Sequence, residues 1–208
     1  MSILVVNCDG WVGYHLVNAL LEHDYIVDGT TMLDDTGENQ PIEDLTMFFG
    51  RNSDFSIVSS TDKKYRTGII IGDFGGDISQ NVENFIIINP DKKLHKSIKP
   101  ANCTTVKTSL LFGEWMPMDE KGLYYKEEYI PFTSEKFQKE SIYIDDFTKA
   151  MMQWLEMPDL PSELNIYSSN DEEMQVSKIE KNMYIRENIL NKDNLKNVIE
   201  HYLKFKKI

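Results

Sequence analysis

The chain has 208 residues, enough for one sizeable domain or a domain with a small appendage. It is 41% hydrophobic, which supplies a core, and its net charge of −12 argues against a nucleic-acid backbone or an anionic membrane as partner. No apolar run approaches the roughly 20 residues of a membrane span. The first residues also lack the charged start and long apolar middle of a signal peptide, so the expectation is a soluble cytoplasmic protein.

Ser2 to Val6 is a short apolar run that breaks at Asn7-Cys8-Asp9-Gly10-Trp11-Val12-Gly13. A helical stretch follows, with Val12, Leu16, Ala19 and Leu20 spaced on one face, ending near His23-Asp24. A second strand begins at Tyr25-Ile26-Val27. Strand, glycine-bearing turn, helix and strand is how a dinucleotide-binding βαβ unit opens. Glycine in that turn lets backbone N–H groups and the helix N-terminus approach a pyrophosphate. Here Gly10 and Gly13 stand three apart, Asn7 takes the place of a first glycine, and Asp9 adds a negative charge beside the phosphate position. Cys8 reads as a small buried residue, or as a thiol activated by the helix N-terminus.

Residues 34–40 read as a polar loop, and Ile42 to Phe49 as a short helix with Pro41 near its start. Further strands are predicted at Phe55 to Val58, at Gly68 to Ile71, at Phe85 to Ile88 and at Val106 to Phe112. The fourth strand ends in a second glycine-bearing turn, Gly72-Asp73-Phe74-Gly75-Gly76. Phe85 to Ile88 is continuously apolar, the pattern of a strand buried on both faces. Glu114 to Glu140 reads as irregular and aromatic-rich, followed by a brief strand at Ile142 to Ile144. A helix begins at Asp145, with Asp145 or Asp146 as N-cap and Phe147, Ala150, Met151, Trp154 and Leu155 facing inward. Pro158 and Pro161 close it, Leu164 to Tyr167 returns as a strand, and the last thirty residues read as helices.

These elements predict an α/β protein, a Rossmann-like doubly wound parallel sheet with a small C-terminal α/β portion. The expected division is 1–113, a dinucleotide-binding type of domain, and 114–208, packed on it as one compact unit. The connections after the third, fourth and fifth strands are shorter than full crossover helices, so the sheet is trimmed of some helices. An open face of a parallel sheet needs a cover, which predicts a protein partner or a homo-oligomer. Cys8 and Cys103 make no disulfide framework, and the four histidines show no metal-ligand spacing, so no metal is expected.

Several stretches resemble the extended short-chain dehydrogenase/reductase family, the NAD-dependent epimerases and dehydratases of nucleotide sugars. Gly10-Trp11-Val12-Gly13-Tyr14-His15-Leu16 is similar to the second half of the family's glycine motif, Gly-Phe-Ile-Gly-Ser-His-Leu. Leu20-Leu21-Glu22 with Tyr25 to Gly29 resembles its helix end and second strand, and Asn81-Val82 an Asn-Val pair. Phe85 to Asn89 resembles the strand that ends at the catalytic Ser or Thr, and Val106 to Gly113 the Leu-Arg-Pro-x-x-Val-Tyr-Gly strand. Ile142 to Ala150 is similar to the segment Val-Tyr-Val-Asp-Asp-Val-Ala-x-Ala, and Leu164 to Tyr167 to the Tyr-Asn-Ile-Gly that follows. The matches keep the family's order from residue 1 to about 170.

The resemblance implies NAD or NADP as cofactor, with Gly10, Trp11, Val12 and Gly13 at the pyrophosphate and Asn7 offering its side-chain amide there. Gly72 and Asp73 would flank the cofactor, and Asp62 would lie near the adenine. The family exchanges a proton through a Tyr-x-x-x-Lys pair on the helix between its fifth and sixth strands. Here residues 89–102 contain no tyrosine, and Asn89 or Pro90 stands where the catalytic Ser or Thr would be. The Tyr202 to Lys206 spacing lies outside the motif's order, and His95 with Lys96 reads as a solvated connection. An acid at the end of the second strand usually holds the ribose, but the matched positions are Thr30 to Met32, and Asp28 comes too early. The expectation is therefore a non-catalytic relative with a degenerate dinucleotide site, used for protein binding or assembly. The alternatives are an active NAD(P)-dependent epimerase, dehydratase or reductase, and an NAD(P) sensor.

Overall fold

The computed structural model describes residues 2–31, 49, 52–58, 63–73, 81–90, 103–168, 182–185 and 192–206. The chain divides into two units. The first is Met1–Lys107 with Glu156–Leu164, and the second is Thr108–Leu155 with Asn165–Ile208. The chain passes between the units at 107/108, 155/156 and 164/165.

In the first unit, β1 (Ser2–Val6), β2 (Ile26–Thr30), β3 (Phe55–Ile57), β4 (Tyr65–Ile71), β5 (Val82–Ile88) and β6 (Cys103–Thr108) lie in the order β6-β5-β4-β1-β2-β3. All five pairings among them are parallel, with Val5 opposite both Gly29 and Ile69. The strand order reverses between β1 and β4, the arrangement of a Rossmann-like sheet, in which ligands bind outside the carboxyl ends of the strands at that reversal. Strands β4 and β5 each start three residues earlier than the apolar runs suggested, because Tyr65 and Val82 also bury their side chains.

α1 (Trp11–Glu22) joins β1 to β2 and buries Gly13, Leu16, Val17 and Leu20, an i, i+3, i+4, i+7 stripe. That stripe differs from the expected one. Val12 and Ala19 are only half-buried, and Gly13 and Val17 take the inner face. Asp24, at φ 60°, ends the helix in the left-handed region, and the N–H of Tyr25 reaches back to the Leu20 carbonyl at 3.1 Å.

Ile3, Leu4, Val5 and Val6 are all fully buried although they alternate between faces of the sheet. Leu4, Val6, Tyr65, Ile70, Val82, Phe85, Ile87 and Cys103 form one cluster of the core. Both faces of the central strands are therefore covered. Asp28, buried in β2, pairs with Lys63 at 2.6 Å and accepts a hydrogen bond from the Tyr65 hydroxyl at 3.0 Å.

At the β6 edge the N–H of Thr105 donates to the Ser162 carbonyl at 2.9 Å, and Lys107 pairs with Glu163 at 2.8 Å. β11 (Glu163–Ser168) begins here and continues into the second unit.

The second unit holds the strand that the sequence reading had joined to β6. Ser109 interrupts the run, and β7 (Leu110–Phe112) pairs in parallel with β10 (Ser141–Tyr143). The Ser109 hydroxyl donates to the Glu140 carbonyl at 2.7 Å, which fixes the break. The segment expected to be irregular contains a hairpin, β8 (Gly122–Tyr125) with β9 (Glu128–Pro131), and then α2 (Glu135–Glu140). Ser134 caps α2 by accepting from the Phe137 N–H at 3.2 Å.

α3 (Ile144–Leu155) starts one residue before Asp145, so Asp145 and Asp146 lie in its first turn, where carboxylates suit the helix dipole. It buries Phe147, Met151 and Trp154 as expected, with Met152 in place of Ala150 and Leu155. β11 pairs in parallel with β12 (Asn182–Ile185), a strand within the region read as helical, and α4 (Lys192–Phe205) follows. Against α4, the Trp115 ring lies 4.5 Å from His201 and 4.8 Å from Phe205. The predicted helix from Ile42 lies outside the described residues except at Phe49, which is helical.

Candidate functional site

β1 delivers the turn to the point where the sheet order reverses. Asn7 follows the strand at φ 60°, a left-handed conformation that glycine adopts freely and asparagine tolerates best among other residues. Its side chain is buried, and the amide nitrogen donates twice, to the Ile71 carbonyl at 2.8 Å and to the Asp73 carbonyl at 2.9 Å. Asn7 therefore links the carboxyl end of β1 to the end of β4. Both of its amide hydrogens point at carbonyls of the chain itself.

Cys8 is anchored by its own N–H, which donates to the Thr30 carbonyl at 3.0 Å. Its sulfur fits against the bare Cα of Gly29, where a Cβ would come within 2.6 Å of it. Burial first and the charge of Asp9 second push the thiol up to about 12, so Cys8 is a packed thiol with no thiolate at neutral pH.

Gly10 caps α1 with its backbone alone, at φ −77° and ψ 160°. A Cβ on Gly10 would meet nothing within 4 Å, whereas one on Gly13 would stand 2.5 Å from the Cys8 carbonyl oxygen. The two glycines have different reasons to be glycine. Gly13 lets the helix lie on the turn, and Gly10 leaves room outside it. Trp11 and Val12 are half-buried in the first turn, with the Trp11 ring edge-on to His15 at 6.3 Å.

Across the reversal, Gly72 has φ +71° and open space at its Cβ position, and its N–H donates to the Ile88 carbonyl at 2.8 Å. Asp73 contributes its backbone carbonyl to Asn7. At the end of β2, Thr30 carries a buried hydroxyl oxygen with no hydrogen-bond partner among the described residues. Sequence reasoning had placed Thr30 at the ribose position without assigning it a role. Asp62, His95 and Lys96 lie outside the described residues.

At the end of β5, Asn89 has φ 48° and donates its N–H to the Val106 carbonyl at 2.8 Å. A carboxamide there has no hydroxyl to share a proton with a substrate. Tyr65 and Lys63 do lie together, but Tyr65 opens β4 at the amino end of the sheet, away from the reversal crevice. Burial and Asp28 hold its phenol well above the ordinary range. Tyr202 and Lys206 sit in the second unit, with the Lys206 ammonium 5.4 Å from the ring centre of Tyr202 and 3.4 Å from Glu120. Among the described residues no group of three or more His, Cys, Asp or Glu is placed to hold a metal. Nor is any described helix long and apolar enough to cross a membrane.

No protein-family model and no curated protein sequence matches the chain. Its fold is nevertheless shared with solved structures. A dTDP-glucose 4,6-dehydratase from Bacillus anthracis, in complex with NAD, superposes with a TM-score of 0.63 at 10% identity, over 100% of this chain and 98% of that one. UDP-glucuronic acid 4-epimerase from Bacillus cereus, in complex with UDP-glucuronic acid and NAD, gives 0.59 at 11% identity, over 98% and 99%. The yeast methylglyoxal/isovaleraldehyde reductase Gre2, complexed with NADPH, gives 0.56 at 14% identity, over 100% of both chains. At such identities the likeness is one of fold. It is the fold of NAD-dependent epimerases and dehydratases and of related reductases.

Proposed function

We propose that the chain is a non-catalytic protein on the epimerase/dehydratase fold, with a degenerate dinucleotide site, used for protein binding or assembly. The observation that carries this reading is the connection between β5 and β6. Residues 89–102 contain no tyrosine, and Asn89 or Pro90 stands where the resemblance places a hydroxyl. Without a phenol held at a lowered pKa by a lysine, the proton exchange of the resembled enzymes has no donor. The residues at the reversal also fit a dinucleotide poorly, because Asn7 spends its amide on Ile71 and Asp73 and because Asp9 sets a carboxylate in the phosphate turn. The exposed rings of Tyr124 and Tyr129 on the β8–β9 hairpin supply the kind of side chain that dominates protein interfaces.

A second reading, an NAD(P) sensor or an active NAD(P)-dependent enzyme, is favoured by the open space at Gly10 and the unpartnered hydroxyl of Thr30. Calorimetric titration with NAD⁺, NADH, NADP⁺ and NADPH separates the two. The proposal expects no heat of binding up to about 1 mM, weaker than about −4 kcal/mol. Micromolar binding of any of the four would overturn the degenerate site and move the search to a replacement proton donor.

A further inference from the structure

The side chain of Asn7 bridges the ends of β1 and β4, where the strand order of the sheet reverses. The reversal between β1 and β4 leaves a crevice because the chain leaves those two strands in opposite directions, and a dinucleotide lies across it. In this chain the end of β1 is tied to the end of β4 by two hydrogen bonds from a single amide nitrogen, 2.8 Å to Ile71 and 2.9 Å to Asp73. The Asn7 side chain is buried as it makes these two bonds. On either side of it, Gly10 and Gly72 both have open space at their Cβ positions. At each of these two glycines a Cβ would have space.

We propose that Asn7 is the specificity-determining residue of this site: it acts as a staple across the β1/β4 crevice and excludes a dinucleotide that the surrounding fold would otherwise accept. The inference rests on the reading of the site as degenerate and names the residue responsible. The backbone supports the exchange that tests it. At φ 60° glycine is at ease, so Asn7→Gly removes the staple without demanding a new chain path. Gly10→Ala, in turn, puts a methyl group into the open space and touches nothing in the protein. It reports whether any ligand gained by Asn7→Gly sits at this turn.

The test is calorimetric titration of the wild-type chain, Asn7→Gly and the double variant Asn7→Gly/Gly10→Ala with NAD⁺, NADH, NADP⁺ and NADPH, each protein checked by circular dichroism. The expected result is silence from the wild type and a gain of at least about tenfold in affinity for one of the four in Asn7→Gly. The double variant should lose that gain. A folded Asn7→Gly that binds no better than wild type overturns the staple while leaving the degenerate site standing. A wild type that binds at micromolar concentration, with no gain from Asn7→Gly, overturns both. A gain that survives Gly10→Ala places the ligand elsewhere and also overturns the inference. If Asn7→Gly does not fold, Asn7→Ala is read by the same criteria. If neither folds, the wild type decides through hydrogen exchange of the Asn7 side-chain amide. Slow exchange supports the staple, and exchange at the rate of an exposed asparagine refutes it.

Discussion

Asn7 shows how far a single residue can be read from sequence. That it replaces a glycine is visible in the motif, and so is its tolerance of a left-handed backbone. The use of its amide is not visible, because the same donor serves a pyrophosphate or a carbonyl, and the carbonyl of Ile71 is 64 positions away in sequence. Cys8 was more legible, since a small residue beside a tight turn has few roles other than packing. Its burial has a consequence for pH. The folded state holds the thiol proton up to about 12 against an ordinary value of 9.0, so the stabilisation is complete below pH 9 and is lost as pH rises through that window. The loss approaches about 1.4 kcal/mol per pH unit in the window. Urea unfolding of wild type and Cys8→Ala from pH 7 to 11 checks this. The wild type weakens from pH 9 upward, and Cys8→Ala weakens less steeply over the same range, because it keeps Cys103, whose thiol burial also raises from 9.0.

Elements with a strong period were found, and those held by exceptions were not. β1, α1, β2 and β5 follow from their apolar patterns and the glycine turn between them. The β8–β9 hairpin escaped because its turn, Lys126-Glu127, has neither glycine nor asparagine, and Lys126 takes φ 53° against its own preference. Gly122 is the hairpin's hidden signal. The Tyr129 ring lies over it, and the Tyr129 hydroxyl donates to Asp119 at 2.9 Å. The seat of α1 on its turn offers a direct comparison between two glycines of one motif. Gly13→Ala drives a methyl into the Cys8 backbone and should cost about 1–3 kcal/mol as overpacking. Gly10→Ala should cost under about 1 kcal/mol, the difference between glycine and alanine at an N-cap. Chemical denaturation of the two variants side by side measures both, and equal losses would contradict the geometry.

For the molecule as a whole, the Rossmann-like parallel α/β class was legible, and the course of the chain after the sixth strand was not. Val106 to Phe112 reads as one strand; the break at Ser109 sends its two halves to different partners. Both faces of the central strands are buried. The assembly reading then depends on exposed side chains such as Tyr124, 53% accessible, and Tyr129, 39%. Light scattering at increasing concentration tests it. Self-association should appear in the wild type and weaken in Tyr124→Ser/Tyr129→Ser, and a monodisperse monomer at the highest concentration, with no partner recovered by cross-linking, would count against it.

The placement of Glu156–Leu164 within the first unit has a consequence in time. A ribosome makes the six strands of that unit's sheet long before it reaches Ser162 and Glu163, which meet Thr105 and Lys107 at the β6 edge. Through that interval β6 is an unfinished border, its outward N–H groups waiting on chain not yet synthesised. Those contacts form only after Glu163 has been made, so the β6 edge is completed later than it is synthesised.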